Sequence, residues 1–529
     1  MPVLKIKDLK VDFISKGKKT PILKDISLTL ERNSILGVAG ESGSGKSMTA
    51  LSVLNLLDDN PELSISGSIS YYGIELLSLS EKEISSIRGN RISIIFQNPD
   101  AALNPVIKCG RQIEEIIKIH QPKVSKTALK SQCTDLLQSV GFADAKRILN
   151  AYPFELSGGQ QQRIVIAIAI ASQPDIIIAD EPTSNLDAFT SSEIIGLLLD
   201  IKNRHKCSIM LISHDIRLLR KISDRIVLIK DGQIVDDISC HDGINTPFQD
   251  YAESYLNMAV PVKSQIAKIE TSEPVIQLKQ IGKSYYSGWW FSKKNTSIVL
   301  KDISFSVNKG SVLGVIGKTG SGKSTLAKIL AGVIDATNGS ILINDAPVNV
   351  DVFKQNKALR RSVQLVQQDS YHAFNPIFSV SEILSEVIDL YKLALTKEDK
   401  KELIQKTLSE FGLSENILTK LPAQLSGGQR QRLAIARALL LKPSVIIFDE
   451  SLSALDMGNQ INILHLVGEL RKKYQFTTIF ISHDPVLISH ISDDLIVLDS
   501  GRIIEQGNVS EIFENPKHGI TKQLITTYA

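Results

Sequence analysis

Residues 40–47 read GESGSGKS, and residues 317–324 read GKTGSGKS. Each stretch follows a short apolar run rich in β-branched residues, 35–38 and 311–316, as a buried parallel strand would supply. Working outward, three more stretches recur in the same order. LSGGQQQR at 156–163 returns as LSGGQRQR at 425–432, IIIADEP at 176–182 as VIIFDES at 445–451, and LISHD at 211–215 as FISHD at 480–484. Ser157 and Ser426, Glu181 and Glu450, and His214 and His483 are each 269 positions apart, whereas Lys46 and Lys323 are 277 apart. The first copy therefore carries eight extra residues between its glycine-rich loop and its LSGGQ. Such a repeat has to be recognised before any fold is assigned. The chain is a tandem duplication.

Subtracting the two copies leaves a surplus of 18 residues between them. The expected division is a first domain at 1–256, a linker at 257–274 and a second domain at 275–529. Each copy reads as α/β. Between Gln97 and the first LSGGQ the period changes: Leu129, Cys133, Leu136, Leu137 and Val140 sit at helical spacing, as do Ile404, Leu408 and Phe411 in the second copy. Each α/β core is thus expected to carry a helical insertion.

G-x-x-x-x-G-K-[ST] between a strand and a helix is a phosphate-binding loop. Its glycines let backbone N–H groups point inward as an anion nest, and the helix N-terminus adds a positive dipole end. The first nest comprises Gly40, Glu41, Ser42, Gly43, Ser44, Gly45, Lys46 and Ser47. The second comprises Gly317, Lys318, Thr319, Gly320, Ser321, Gly322, Lys323 and Ser324. Lys46 and Lys323 would reach the β- and γ-phosphates, and Ser47 and Ser324 would bind Mg²⁺. Asp180 and Asp449 end apolar strands, where Mg²⁺ would compensate a buried carboxylate. Glu181 and Glu450 come next and are placed to act as general bases on water. A lone Asp-Glu after a strand is more often a helix N-terminal charge pair. Here the repeated spacing of 24 residues from the LSGGQ serine selects the catalytic reading. His214 and His483, 33 residues after the glutamates, would sense the γ-phosphate. Gln97 and Gln368 open the helical insertions, where each could touch Mg²⁺ or the attacking water.

With these motifs in place, the chain resembles a fused pair of nucleotide-binding subunits of an ATP-binding cassette (ABC) transporter, whose family signature is LSGGQ. The resemblance implies two tandem phosphate-loop NTPase (ABC ATPase) domains of α/β class. Each would hold a helical subdomain inserted between the Q-loop and the signature motif. It also implies intramolecular pairing of the two cassettes around two ATP molecules. Ser157, Gly158, Gly159 and Gln160 would then complete the site built on Lys323. Ser426, Gly427, Gly428 and Gln429 would complete the site built on Lys46. Phe13 and Tyr285 align ahead of the two loops and would stack on adenine, with Tyr286 competing for the second role. Both sites keep every catalytic type, so both are expected to hydrolyse ATP. Fusion would also raise the effective concentration of one half for the other.

FQNPDAALNP at 96–105 and EIFENPKHGITKQLI at 511–525 resemble elements of the dipeptide, oligopeptide and nickel importer branch, with Gly519 where proline is usual. The resemblance implies an importer motor for small peptides, glutathione-like ones included. Two transmembrane permease subunits and an extracellular solute-binding protein would be its partners, and it would lie peripherally on the cytoplasmic face of the cell membrane. Nickel or metal-chelate and sugar importers are alternatives. A soluble tandem-cassette factor acting on ribosomes is the alternative of another class. It would need a long helical arm between cassettes, and 18 helical residues span only ~27 Å.

The composition agrees. With 529 residues, 22% charged and a net charge of +3, the chain has ample length for several cores and no strong field for nucleic acid. A run such as 164–171, eight apolar residues, falls short of the ~18 that span a bilayer. Cys109, Cys133, Cys207 and Cys240 match no zinc module, and only Cys240 lies where some relatives carry an iron–sulfur cluster, so no cluster is expected. Trp289 and Trp290 form an aromatic pair with no assigned role.

Overall fold

A computed structural model describes residues 2–15, 17–57, 60–184, 186–240, 273–287, 295–368, 373–452 and 455–528. The expected linker, apart from Glu273 and Pro274, and the Trp289–Trp290 pair lie outside the described residues. The chain folds as two compact units.

The first unit holds β1 (Pro2–Ser15), β2 (Lys18–Glu31), β3 (Ile35–Ala39), β4 (Leu63–Tyr71), β5 (Ile74–Glu75), β6 (Ile92–Ile95), β7 (Ile176–Asp180), β8 (Ser208–Ile212), β9 (Arg225–Lys230) and β10 (Gln233–Ser239). β2-β1-β4-β5 form an antiparallel sheet. In β1 the alternation is clear, with Leu4 and Ile6 buried and Lys5 and Lys7 exposed. The larger sheet runs β10-β9-β3-β8-β7-β6, parallel except for β10. Every residue of β3, β7 and β8 is buried, as expected of strands covered on both faces.

The period of two sorts those strands between two cores. Leu36, Val38, Ile176, Ile178, Met210 and Ile212 face the core shared with β1, β2 and the helix Lys46–Val53. Ile35, Ala39, Ile177, Ala179, Ile209 and Leu211 face the core shared with the insertion helices Cys109–His120, Lys126–Ser139 and Ala145–Asn150. Leu129, Cys133 and Leu137 form the buried stripe of the second of these, as their spacing predicts. Burial pushes the thiols of Cys109, Cys133 and Cys207 up to about 11, so they behave as small apolar side chains.

The second unit repeats the plan. It holds β11 (Pro274–Ser287), β12 (Asn295–Asn308), β13 (Val312–Gly317), β14 (Asn338–Ile343), β15 (Ala346–Val348), β16 (Val363–Val366), β17 (Val445–Asp449), β18 (Thr477–Ile481), β19 (Asp494–Asp499) and β20 (Arg502–Asn508). The sheets are β12-β11-β14-β15 and β16-β17-β18-β13-β19-β20, the same orders as in the first unit. Its insertion contains the helices Val380–Tyr391 and Lys397–Glu410. The expected α/β class with a helical insertion holds in both units.

Candidate functional site

In an open parallel sheet, ligands bind beyond the carboxyl ends of the strands. β3, β8 and β7 are neighbours, so the glycine-rich loop, the histidine and the acidic pair all leave one edge of the sheet together. Main-chain bonds fix the convergence. The amide of Ser213 donates to Val38 O at 3.1 Å, and the amide of Glu181 donates to Ile212 O at 3.0 Å. The second unit matches, with Ser482 N to Val315 O at 3.1 Å and Glu450 N to Ile481 O at 2.9 Å.

The loops need glycine for stated reasons. A Cβ on Gly40 would lie 2.1 Å from Ile229 O, and one on Gly317 would lie 2.2 Å from Leu498 O. Gly45 and Gly322, at φ of 106° and 104°, turn the chain into the helices Lys46–Val53 and Lys323–Leu330. The loop lysines are almost fully buried and curl back over their own loops. Lys46 Nζ donates to Gly40 O at 2.9 Å and Glu41 O at 2.7 Å, and Lys323 Nζ donates to Gly317 O at 2.8 Å and Lys318 O at 3.1 Å.

Glu181 stands at the centre of the first site. Gln97 Nε2 donates to its Oε2 at 3.0 Å, and His214 Nδ1 lies 3.4 Å from the same oxygen. Burial alone would lower the His214 pKa, but the Glu181 carboxylate outweighs it and raises the value. In the second site Glu450 has Lys323 Nζ at 3.3 Å and His483 Nδ1 at 3.8 Å. Burial pushes Glu450 up, yet His483 and Lys323 together bring its pKa down to about 2. Both glutamates sit at φ 46°, in the left-handed region that side chains rarely adopt.

Asp180 and Asp449 are buried, which raises their pKa values, opposed by the hydroxyls of Ser47 and Ser324. Ser324 Oγ donates to Asp449 Oδ1 at 3.0 Å, while Asp180 Oδ1 is buried with no hydrogen-bond partner. Serine hydroxyl beside aspartate is the hard-oxygen set that suits Mg²⁺, and an orphaned carboxylate oxygen is what such an ion would satisfy. Gln368 is exposed and, among the described residues, makes no hydrogen bond to Glu450, unlike Gln97 with Glu181.

The signature serines take a role that the motif alone did not announce. Ser157 N-caps the helix Gly158–Ile170 in a capping box: its Oγ accepts from Gln160 N, and Gln160 Oε1 accepts from Ser157 N at 3.1 Å. Ser426 and Gln429 do the same for the helix Gly427–Leu439. The signal was present as S-x-x-Q ahead of an apolar run. Gly158 and Gly159, like Gly427 and Gly428, form the first turns of those helices. Asp215 and Asp484 carry a role that motif spacing does not assign. They cap the helices Ile216–Ile222 and Pro485–Ile491 and so hold the histidine loops, a role legible in the D of SHD. Phe13 and Tyr285 occupy equivalent places on β1 and β11, 37% and 44% exposed, with Lys283 Nζ 5.1 Å from the Tyr285 ring centre. The side chain of Tyr286 lies outside the described residues.

A family model described as ABC transporter matches residues 23–184 and 300–453. The chain is 35% identical over 527 residues to a peptidoglycan transport ATP-binding protein of Agrobacterium fabrum, covering 99% of this chain and 96% of that one. It is 31% identical over 556 residues to a glutathione import ATP-binding protein of Salmonella typhimurium, covering 99% and 89%. It is 30% identical over 602 residues to an oligopeptide transport ATP-binding protein of Mycobacterium tuberculosis, covering 99% and 98%.

Proposed function

This chain belongs to the ABC transporter family as a tandem ATP-binding, ATP-hydrolysing protein, and from that membership we propose that it is the motor of an importer that takes up small peptides through two separate membrane permeases. The observation that carries the reading is the double occurrence of one acid–base set. A loop lysine, a strand-end aspartate, a left-handed glutamate and a histidine converge at one sheet edge in each unit. The relatives' names, which speak of peptidoglycan, glutathione and oligopeptides, support a peptidic cargo.

In each unit the loop amides and the lysine Nζ would hold the β- and γ-phosphates. Ser47 with Asp180, and Ser324 with Asp449, would hold Mg²⁺, which when bound offsets the negative charge of the phosphates. Glu450, with a pKa of about 2, stays ionised at neutral pH and would orient the attacking water and accept its proton. Glu181 would do the same in the first unit, its carboxylate steadied by Gln97 and His214. The capped signature helices would present their N-termini to the nucleotide held by the other cassette.

Docking on the membrane from the cytoplasmic face fits two observations. No described helix is long and apolar enough to cross a bilayer. The insertions expose apolar side chains: Val106, Ile119 and Phe154 in the first unit, and Ile377, Leu390 and Leu395 in the second. A groove of about 740 Å³ beside Val106, Ile107, Ile119 and Tyr152 could receive a permease loop. An extracellular solute-binding protein would deliver the cargo to the permeases. The test is affinity purification of the tagged chain from membranes, combined with uptake of labelled small peptides after deletion of its gene. Recovery of two permeases and loss of uptake are expected. Recovery of ribosomes, or undiminished uptake, would overturn the proposal.

A further inference from the structure

The groove on the first insertion is charged as well as apolar. Lys108, Arg111, Lys118, Glu114 and Glu115 line it beside Val106, Ile119 and Tyr152. Lys118 and Glu114 answer each other, with Nζ 3.4 Å from Oε2. Lys108 and Arg111 lie together at the start of the helix Cys109–His120, half-buried and exposed respectively, and among the described residues neither makes an ion pair. Lys108 Nζ lies 5.9 Å from the centre of the Tyr152 ring. The Glu155 carboxylate accepts the Tyr152 amide at 2.8 Å and does not line the groove. Against these two cations stands Glu115 alone, so the groove is positive at the end beside Val106. The second insertion keeps the frame and changes that charge. Asn375-Pro376 repeats Asn104-Pro105 at an offset of 271. Buried Cys109, Ile113 and Ile117 then fall on buried Val380, Leu384 and Ile388, and exposed Val106 and Ile119 fall on exposed Ile377 and Leu390. On the same frame Lys108 becomes Ser379 and Arg111 becomes Glu382. The Ser379 amide and hydroxyl both donate to the Glu382 carboxylate at 2.7 Å, which fixes it at the helix start. Glu115 is matched by Glu386, and Lys118 by Asp389, which accepts from Lys400 at 2.6 Å, so those positions do not separate the two faces. Lys420, whose carbonyl accepts the Val380 amide at 3.0 Å, stands where the first unit has Ala151. The second helix start is thus of mixed charge, where the first carries two cations.

We propose that charge at this helix start assigns each insertion its own permease. The first takes a short helical loop that sets a carboxylate against Lys108 and Arg111 beside an apolar anchor. The second, with Glu382 in the place of Arg111, refuses that loop and takes the other permease. The inference rests on the importer reading above and adds which half of the chain holds which partner. A volume of about 740 Å³ has room for just under about two turns of a helix ~10 Å wide with a pitch of ~5.4 Å, which is a loop and not a domain. Apolar contact with Val106 and Tyr152 would supply affinity, and the charge would supply discrimination, because a like charge at the same point penalises the wrong partner. A uniformly anionic lipid surface would meet Glu114 and Glu115 in the same groove, which favours a segment with one placed carboxylate.

The test joins each face to whatever lies on it. The full chain carries Cys240→Ser, since Cys109, Cys133 and Cys207 are buried, and either Val106→Cys or Ile377→Cys. It is thiol cross-linked in membranes of cells that make the whole importer, and the joined peptide is identified. One permease is expected at 106 and the other at 377, with an aspartate or glutamate in the segment joined at 106. Arg111→Glu should cut the yield at 106 by about tenfold at low salt and less at high salt, with the yield at 377 as the control for folding. The milder Arg111→Gln should give an intermediate loss, and lysine in place of the partner's acidic residue should restore the Arg111→Glu chain. One permease joined equally at both positions, a segment at 106 without a carboxylate, or a yield indifferent to Arg111→Glu would overturn the inference and leave the importer reading intact. So would Arg111-dependent binding of the purified chain to phosphatidylglycerol vesicles with a permease joined only at 377. No permease joined at either position would instead defeat the importer reading itself.

Discussion

Glu181 and Glu450 hold a backbone conformation that costs on the order of 1–3 kcal/mol for a residue with a side chain. Their amides donate to Ile212 O and Ile481 O on the neighbouring strand, which keeps each carboxylate beside its histidine. Replacing both by glutamine preserves shape and removes the proton acceptor. Glu181→Gln with Glu450→Gln is expected to lower ATP hydrolysis by about 10²–10⁴-fold and leave ATP binding intact, as read by phosphate release and nucleotide binding. Surviving turnover would remove both glutamates from the mechanism. Gln97 donates to Glu181, whereas among the described residues Gln368 shows no such bond to Glu450. Gln97→Ala in a Glu450→Gln background is therefore expected to slow the first site about tenfold with ATP affinity little changed, on the scale of one hydrogen bond to a charged group. Gln368→Ala in a Glu181→Gln background should have the smaller effect, and equal losses would contradict the difference. The residue types were legible from spacing. Which oxygen meets which donor was not, because the partners lie 84 and 33 positions apart from Glu181 and meet only through strand pairing.

At the scale of elements, the signature is a helix start. S-G-G-Q closes a capping box, so one short motif both ends a loop and starts a helix. The insertion helices were equally legible, because an apolar stripe at 3.6 spacing survives any tertiary arrangement. The C-terminal helix Gly519–Tyr528 was not. Its start is held from outside, where the carboxylate of Glu505 on β20 accepts the amides of Lys517 at 2.9 Å and His518 at 3.1 Å. Partial burial pushes the Glu505 pKa up, but the Lys517 and His518 amides, with the Lys517 charge, hold it below its ordinary value. A depressed folded pKa stabilises at pH above the unfolded value, about 4.3, and that contribution is lost as pH falls through the folded value. Hydrogen exchange over 519–528, corrected for its intrinsic pH dependence, should therefore accelerate below that point. Glu505→Gln should show the loosened helix already at neutral pH and little further change with acid. Unchanged protection in the variant would show that the helix is held by its apolar contacts alone.

At the scale of the molecule, the duplication sets the design: two copies of one site on one chain, each in a compact unit with its own cores. If the two halves work as a pair, the covalent link supplies an effective concentration on the order of millimolar. Residues 1–256 and 275–529 expressed as separate chains are then expected to regain ATPase activity only as their concentration rises. The intact protein should keep its specific activity on dilution. Full activity of either half alone would refute the pairing. The sequence by itself determined the repeat, the fold class and the chemical types at each site, because period, glycine placement and motif spacing are properties of the chain in one dimension. The tertiary structure alone decided which donors surround Glu181 and Glu450, that both are held left-handed, and that Asp180 keeps an oxygen without a hydrogen-bond partner. Those facts depend on which strand ends become neighbours and on how deeply each group is buried. Neither follows from spacing along the chain.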